Sequence, residues 1–128
     1  MSYKNMKTLS VKLCLLAVTA LISFNALAID ANEDKRVEAL LNSLARHHEL
    51  IFVRNGDEYK VEAAVDHLKM KYDYDKGDLN TAEDFIKYCA SRSSFSGKEY
   101  LVLYPDGRQE TSSIFLTRLL QGIDAKTK

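Results

Sequence analysis

The sequence predicts an α+β domain: about four helices packed on a small antiparallel sheet of two hairpins, in the order α-ββ-α-α-ββ-α. Three observations lead there. Apolar residues recur at helical spacing in four separate stretches, from Val37, Val61, Phe85 and Phe115 onward. Two β-rich runs each lead into a turn, Asn55-Gly56 in the first and Pro105-Asp106-Gly107 in the second. The 128 residues hold one Pro and are 46% hydrophobic, enough for a single packed core and too regular for a disordered polymer.

Val37, Leu40, Leu41 and Leu44 stand at i, i+3, i+4, i+7, one face of a first helix. Glu33 and Asp34 fall in its first turn, and Arg46, His47 and His48 are expected to close its last, matching the helix dipole at both ends. Leu50 to Arg54 reads as a strand, and Asp57 to Lys60 as its return. Asn-Gly suits the turn because both central positions need positive φ. Val61, Ala64, Val65, Leu68 and Tyr72 form the stripe of a second helix that exits through Asp73, Tyr74, Asp75 and Lys76 and stops near Gly77. Thr81 with Asp84 has the spacing of a capping box and opens a third helix carrying Phe85, Ile86 and Cys89. A polar loop, Ser91 to Gly97, leads to an apolar strand from Tyr100 to Tyr104, with Arg108 to Thr111 as its partner. Ser112 or Ser113 is expected to cap a final helix with the stripe Phe115, Leu116, Leu119 and Ile123. An offset of 51 residues carries Gly56 to Gly107 and the second helical stripe onto the last, which points to an internal pseudo-repeat.

Residues 1–28 have the form of a cleaved export signal. Lys4, Lys7 and Lys12 precede an apolar run from Leu13 to Phe24, and Ala26-Leu27-Ala28 supplies the small-x-small cleavage pattern. The run is shorter than the ~20 residues that span a bilayer, so no stable membrane insertion is expected after cleavage. Cys14 lies within the run rather than at the cleavage point, which argues against lipidation. The sequence therefore predicts a single domain, residues 29–128, released into the periplasm or secreted. Without those lysines, 15 basic residues face 18 acidic ones, a net charge of −3 that argues against nucleic acid as a partner. Cleavage also leaves Cys89 without an intramolecular partner, and its place on the stripe with Phe85 and Ile86 predicts a buried, inert thiol.

Few residues are spaced for chemistry. Asp73, Asp75, Asp78 and Asp84 resemble a calcium loop, but the sixth position carries Asp78 where glycine is required, so a solvated interhelical loop is expected. Three histidines without partners at ligand spacing predict no metal, and no cofactor motif is present. No Gly-x-Ser-x-Gly elbow accompanies the serines, so the domain is expected not to be an enzyme. A polar constellation stands out instead. His67 and Lys71 are an i, i+4 pair at the edge of the second helix's stripe. The hairpin's Arg54 and Asn55 and the loop's Ser93, Ser94, Ser96 and Tyr100 complete a candidate ligand-binding patch. The bland alternative is that these groups only cap a core edge and a helix end.

The same stretches carry a family resemblance. Phe52-Val53-Arg54-Asn55-Gly56, Ala64-x-x-His67-Leu68-x-x-Lys71, Thr81-Ala82-Glu83-Asp84-Phe85-Ile86 and Ala90-Ser91-x-Ser93-Ser94-x-Ser96-Gly97-x-x-Tyr100 resemble, in order, the YfeK-like family of small exported bacterial proteins. That resemblance implies export, one small domain and no established activity. The chain departs from it at Lys60 and Ala63, where many relatives carry Ser or Thr and Glu, and in having its cysteine at position 89 rather than near Leu50. The expectation is a non-catalytic module for an unknown envelope component. Two alternatives remain at this stage: a lysozyme inhibitor acting through Ser96-Gly97-Lys98-Glu99-Tyr100, which fits Ser-Gly-x-x-Tyr, and a small hydrolase pairing a serine with His67.

Overall fold

The computed structural model describes residues 29–128, so the expected export signal, 1–28, lies outside the described residues. Helix α1 (Ala31–Ala45) starts at Asp30, whose side chain accepts the Glu33 N–H at 2.9 Å. It ends earlier than the charge pattern suggests: Arg46 is the C-cap, and His47 and His48 lie beyond the helix. Strands β1 (Ile51–Arg54) and β2 (Asp57–Lys60) meet at Asn55 and Gly56, with φ of 53° and 84°, the positive values this two-residue turn demands. Helix α2 (Val61–Asp75) follows without a side-chain cap at Lys60, then unwinds through a 3₁₀ turn at Lys76–Asp78.

Thr81 and Asp84 form the expected capping box of α3 (Ala82–Cys89). Strand β3 (Leu101–Leu103) is shorter than the apolar run, and β4 (Gln109–Thr111) returns beside it. The last helix, α4 (Ser112–Lys126), is capped by Thr111, not by Ser112 or Ser113; the Thr111 hydroxyl accepts from Ile114 N at 3.3 Å. Ser112 is instead buried and donates to the Ala90 carbonyl at 2.8 Å. Among the described residues no helix is long and apolar enough to cross a membrane.

The four strands form one antiparallel sheet in the order β2-β1-β3-β4. Phe52 and Val102 oppose each other across the central ladder and join the core beneath the helices. Period-two alternation puts Ile51, Val53, Leu101 and Leu103 on the other face, where they are half-buried. Cys89 is fully buried, as its helical face predicts. Its thiol sits near Asp75 Oδ2 at 3.5 Å, and burial pushes its pKa up to about 12.

The repeat anticipated from the glycines is present, and it is more extensive than a single offset reveals. Val37, Leu40, Leu41 and Leu44 on α1 correspond to Ala82, Phe85, Ile86 and Cys89 on α3, all buried, at an offset of 45. The first strands correspond at 50, and the second strands with their helices at 51. The ladder pairs Ile51↔Lys60, Phe52↔Tyr59 and Val53↔Glu58 map in turn onto Leu101↔Thr111, Val102↔Glu110 and Leu103↔Gln109. Each change of offset has a cause. The second turn holds one more residue than Asn55-Gly56, and the Ser-rich loop supplies five more between α3 and β3. The Phe52↔Val102 pair maps onto itself, so a pseudo-two-fold axis passes through the middle of the sheet. The helices obey it too, because α1 and α3 each pack against both α2 and α4.

Candidate functional site

Arg54 closes β1 on the face that also carries Phe52, because alternation places every second residue toward the helices. Tyr59 stands opposite Phe52 on β2, on the same face. His67 and Lys71, one turn apart on α2, overlook this strand pair, and Tyr100 rises just before β3. These five side chains converge.

Arg54 Nη1 lies 3.1 Å from His67 Nδ1 and 3.0 Å from Nε2. A point equidistant from both ring nitrogens, at that range and free of collision with ring carbons, lies over the imidazole face. That nitrogen therefore sits over the His67 ring. Arg54 Nη2 points to the Tyr59 hydroxyl at 3.4 Å, with its Cζ 5.1 Å from that ring's centroid. Lys71 Nζ donates to Tyr100 OH at 3.2 Å and to the Arg92 carbonyl at 3.3 Å. The Tyr100 hydroxyl, 3.4 Å from His67 Nε2, links the two cations through the imidazole. Burial first, then the charges of Arg54 and Lys71, hold the His67 pKa below its ordinary value of 6.5. His67 is therefore mainly neutral at pH 7.

The electrostatics of this cluster are one-sided. Arg36, by contrast, pairs with Glu33, Glu83 and Asp124 at 2.6–2.7 Å and so ties α1, α3 and α4 together. Arg118 pairs with Glu110 at 2.5 Å. Among the described residues neither Arg54 nor Lys71 forms an ion pair, although Asp57 is the register partner of Arg54. Two cavities adjoin the cluster. One, of about 140 Å³, is walled by Phe52, Tyr59, Ala63, Ala64 and Leu68 and bordered by Arg54 and His67. The other, of about 380 Å³, opens between Arg54, His67, Lys71, Ser94, Phe95 and Tyr100.

The chain matches, over residues 31–124, a family of unknown function, DUF5329. It belongs to that family. It is also 42% identical over 90 residues to the uncharacterised protein YfeK of Salmonella typhimurium strain LT2, covering 70% of this chain and 75% of that one. No solved structure matches it.

Within this member of the family, seven of the eight residues singled out from the sequence (Arg54, Asn55, His67, Lys71, Ser93, Ser94 and Tyr100) border the larger cavity. They do not all face it in the same way. Asn55 is a clamp: its Nδ2 donates to Ser93 Oγ at 3.3 Å, and its Oδ1 accepts from the Ser96 hydroxyl. Ser93 is buried, and its Oγ also accepts the Phe95 and Ser96 N–H groups, both at 3.3 Å. Asn55, Ser93 and Ser96 thus hold the Ser-rich loop against the hairpin, while Arg54, His67, Lys71 and Ser94 border the cavity and take no part in that clamp. The imidazole nitrogens contact Arg54 and Tyr100 and no serine hydroxyl, so the Ser–His pairing weighed from the sequence is not formed. In the Ser-Gly-x-x-Tyr run, Ser96 is exposed and bonded to Asn55, whereas Tyr100 is buried. The calcium-like spacing is absorbed by local structure: Asp84 accepts the Asn80 and Thr81 N–H groups, and Asp75 faces Cys89.

Tyr59 and the two alanines escape a reading by residue chemistry alone. A signal for Tyr59 existed, because pairing outward from a two-residue turn sets Arg54 against Asp57 and Phe52 against Tyr59.

Proposed function

We propose that this domain is a non-catalytic periplasmic binding protein that captures a small anionic or peptide-like component of the cell envelope at the Arg54–His67–Lys71 site. One observation carries the reading: two cationic side chains and an imidazole border open cavities that no carboxylate lines, and neither cation forms an ion pair, among the described residues. Half-buried cations normally acquire a partner, because desolvated charge is costly alone. Here an anionic ligand is the partner. The division of labour within the patch supports the same reading, since Asn55, Ser93 and Ser96 fix the wall and leave Arg54 and Lys71 with donors to spare.

The periplasmic assignment rests on the Lys4–Ala28 signal pattern. N-terminal sequencing of the protein from a periplasmic extract is expected to begin at Ile29; Met1 retained in a membrane fraction would refute export. For binding, amide and imidazole NMR spectra of that purified protein are titrated with the small-molecule fraction of an envelope extract. Shifts confined to Arg54, His67, Lys71, Ser94 and Tyr100 are expected. Spectra unchanged throughout that patch would defeat the proposal.

A further inference from the structure

The pseudo-two-fold axis supplies an internal reference for what this site lacks. Its offsets place Tyr104 where the first half has Arg54, Glu110 where it has Tyr59, Arg118 where it has His67, and Phe115 where it has Ala64. In the second half Tyr104, Glu110 and Arg118 bond to one another, beside a cavity of about 240 Å³ that Phe115 and Arg118 border on the side of α1. Glu110 Oε1 accepts from Tyr104 OH at 2.9 Å and from Arg118 Nη2 at 2.5 Å, and Arg118 Nη2 reaches Tyr104 OH at 3.1 Å. Phe115 fills the space beneath, edge-on to Tyr104 and His47 with centroids 6.4 and 5.6 Å apart. A carboxylate and a phenyl ring thus complete the second half.

The first half has the polar frame without either part. The phenol of Tyr59 stands at the carboxylate's position, so Arg54 meets a hydroxyl and an imidazole there and forms no ion pair among the described residues. Ala64 stands at the phenyl's position, and beside it lies the cavity of about 140 Å³, with Phe52, Tyr59, Ala63 and Leu68 as its apolar walls. An apolar cavity of about 150 Å³ admits a benzene ring. The same cavity is bordered by Arg54 and His67, so its apolar floor and its cationic mouth belong to one space.

We infer that this space receives a free carboxylate joined by a short link to an apolar group about the size of a phenyl ring, the carboxylate at Arg54 and His67 and the apolar group beside Ala64. The inference rests on the binding role proposed above and specifies its ligand class. Two sources share this chemistry: a free aryl or branched alkyl carboxylic acid, and the C-terminal residue of a peptide ending in Phe or Leu. The titratable groups bordering this cavity are Arg54 from β1, Tyr59 from β2, His67 from α2 and Tyr100 before β3, with Lys71 of α2 lining the adjoining cavity and Asp57 of β2 paired in register with Arg54.

The test is calorimetric titration of the purified protein with four probes: N-acetyl-Gly-Phe, its C-terminal amide, 3-phenylpropionate and inorganic phosphate. Both carboxylates are expected to bind, and the amide about tenfold more weakly than the acid, since a charge-assisted pair is lost. A peptide much tighter than phenylpropionate identifies a peptide C-terminus as the ligand; near equality identifies the free acid. Ala64→Phe, which imports the residue of the second half, is expected to abolish carboxylate binding. Should that variant fold poorly, Arg54→Gln is expected to erase the preference for acid over amide. An amide as tight as the acid, phosphate as tight as either carboxylate, or full binding by Ala64→Phe would overturn the inference. If no probe binds, the inference falls, and the envelope-extract spectra then decide separately whether the broader binding role survives.

Discussion

The two halves of this domain use one frame for opposite ends. Around β3, β4 and α4 the polar frame is closed on itself, with Glu110 neutralising Arg118 and Phe115 in the place of Ala64, although a cavity of about 240 Å³ borders Phe115 and Arg118 on the side of α1. Around β1, β2 and α2 it is open: Arg54 meets an imidazole, and an alanine leaves a cavity. The ladder registers correspond, so at the site the difference lies in five side chains, in the extra residue of the second turn and in the five residues added to the Ser-rich loop. Those side chains are Arg54, Tyr59, Ala64, His67 and Lys71 in the first half, against Tyr104, Glu110, Phe115, Arg118 and Gly122 in the second. A closed half contributes stability, whereas an open half carries desolvated charge that a ligand can satisfy. Exchanging side chains between the halves should therefore exchange these properties.

The largest effect is expected from opening the closed half. Phe115→Ala deletes a buried ring and should lower stability by about 3–5 kcal/mol in denaturant unfolding. The reciprocal Ala64→Phe should cost about 1–3 kcal/mol at most, less than Phe115→Ala, because a cavity is there to receive it. If the two substitutions cost the same, the halves do not differ in packing as described.

Cys89→Ser should cost about 1–3 kcal/mol, since a hydroxyl enters the site where a thiol packs at the α3 core face. The native thiol should label slowly without denaturant, as its raised pKa leaves little thiolate near neutrality. Rapid labelling would contradict its burial.

Smaller still is the effect of removing the open half's polar groups. His67→Ala combined with Lys71→Ala should change unfolding free energy by about 1 kcal/mol or less, because their hydrogen bonds are few and long. A loss of several kcal/mol would make the patch scaffold. The pH dependence is weaker but has a definite sign. A histidine whose pKa is depressed on folding binds fewer protons in the native state, so its contribution is complete above 6.5 and declines as pH falls through the folded value. His67→Gln should flatten that acid-side decline. A bound carboxylate favours the imidazolium, so ligand affinity should rise as pH is lowered from 8 to 6.

Much of this frame was legible in the sequence because it depends on local rules. Helical spacing identified the four apolar stripes, Asn55-Gly56 fixed one hairpin, and Thr81 with Asp84 marked a helix start. The failures share a tertiary cause. Thr111, Ser112 and Ser113 are interchangeable as caps until the fold brings the Ala90 carbonyl to Ser112. Leu119 and Leu120 are adjacent on α4, and packing against its neighbours makes Leu120 the more deeply buried. The candidate patch was recognised from its cations and serines, but the division between clamp and open cation was not. That Asn55 spends both ends of its amide on Ser93 and Ser96 is a long-range fact. The cavity was invisible for a related reason: an alanine on a helical stripe reads as core, and only its counterpart, Phe115, shows that something smaller than usual stands there.

The correspondence between Tyr59 and Glu110 is the most exposed part of the account, and Tyr59→Glu tests it most directly. The substitution places the second half's carboxylate in the first half, facing Arg54 and His67. Imidazole NMR should then show the His67 titration midpoint moving upward from its depressed native value, because a nearby carboxylate favours the imidazolium. The same variant should lose affinity for N-acetyl-Gly-Phe, its own side chain having taken the ligand's place. A His67 midpoint unchanged from the native protein would contradict the equivalence of the two halves and, with it, the reading of the open half as a carboxylate site.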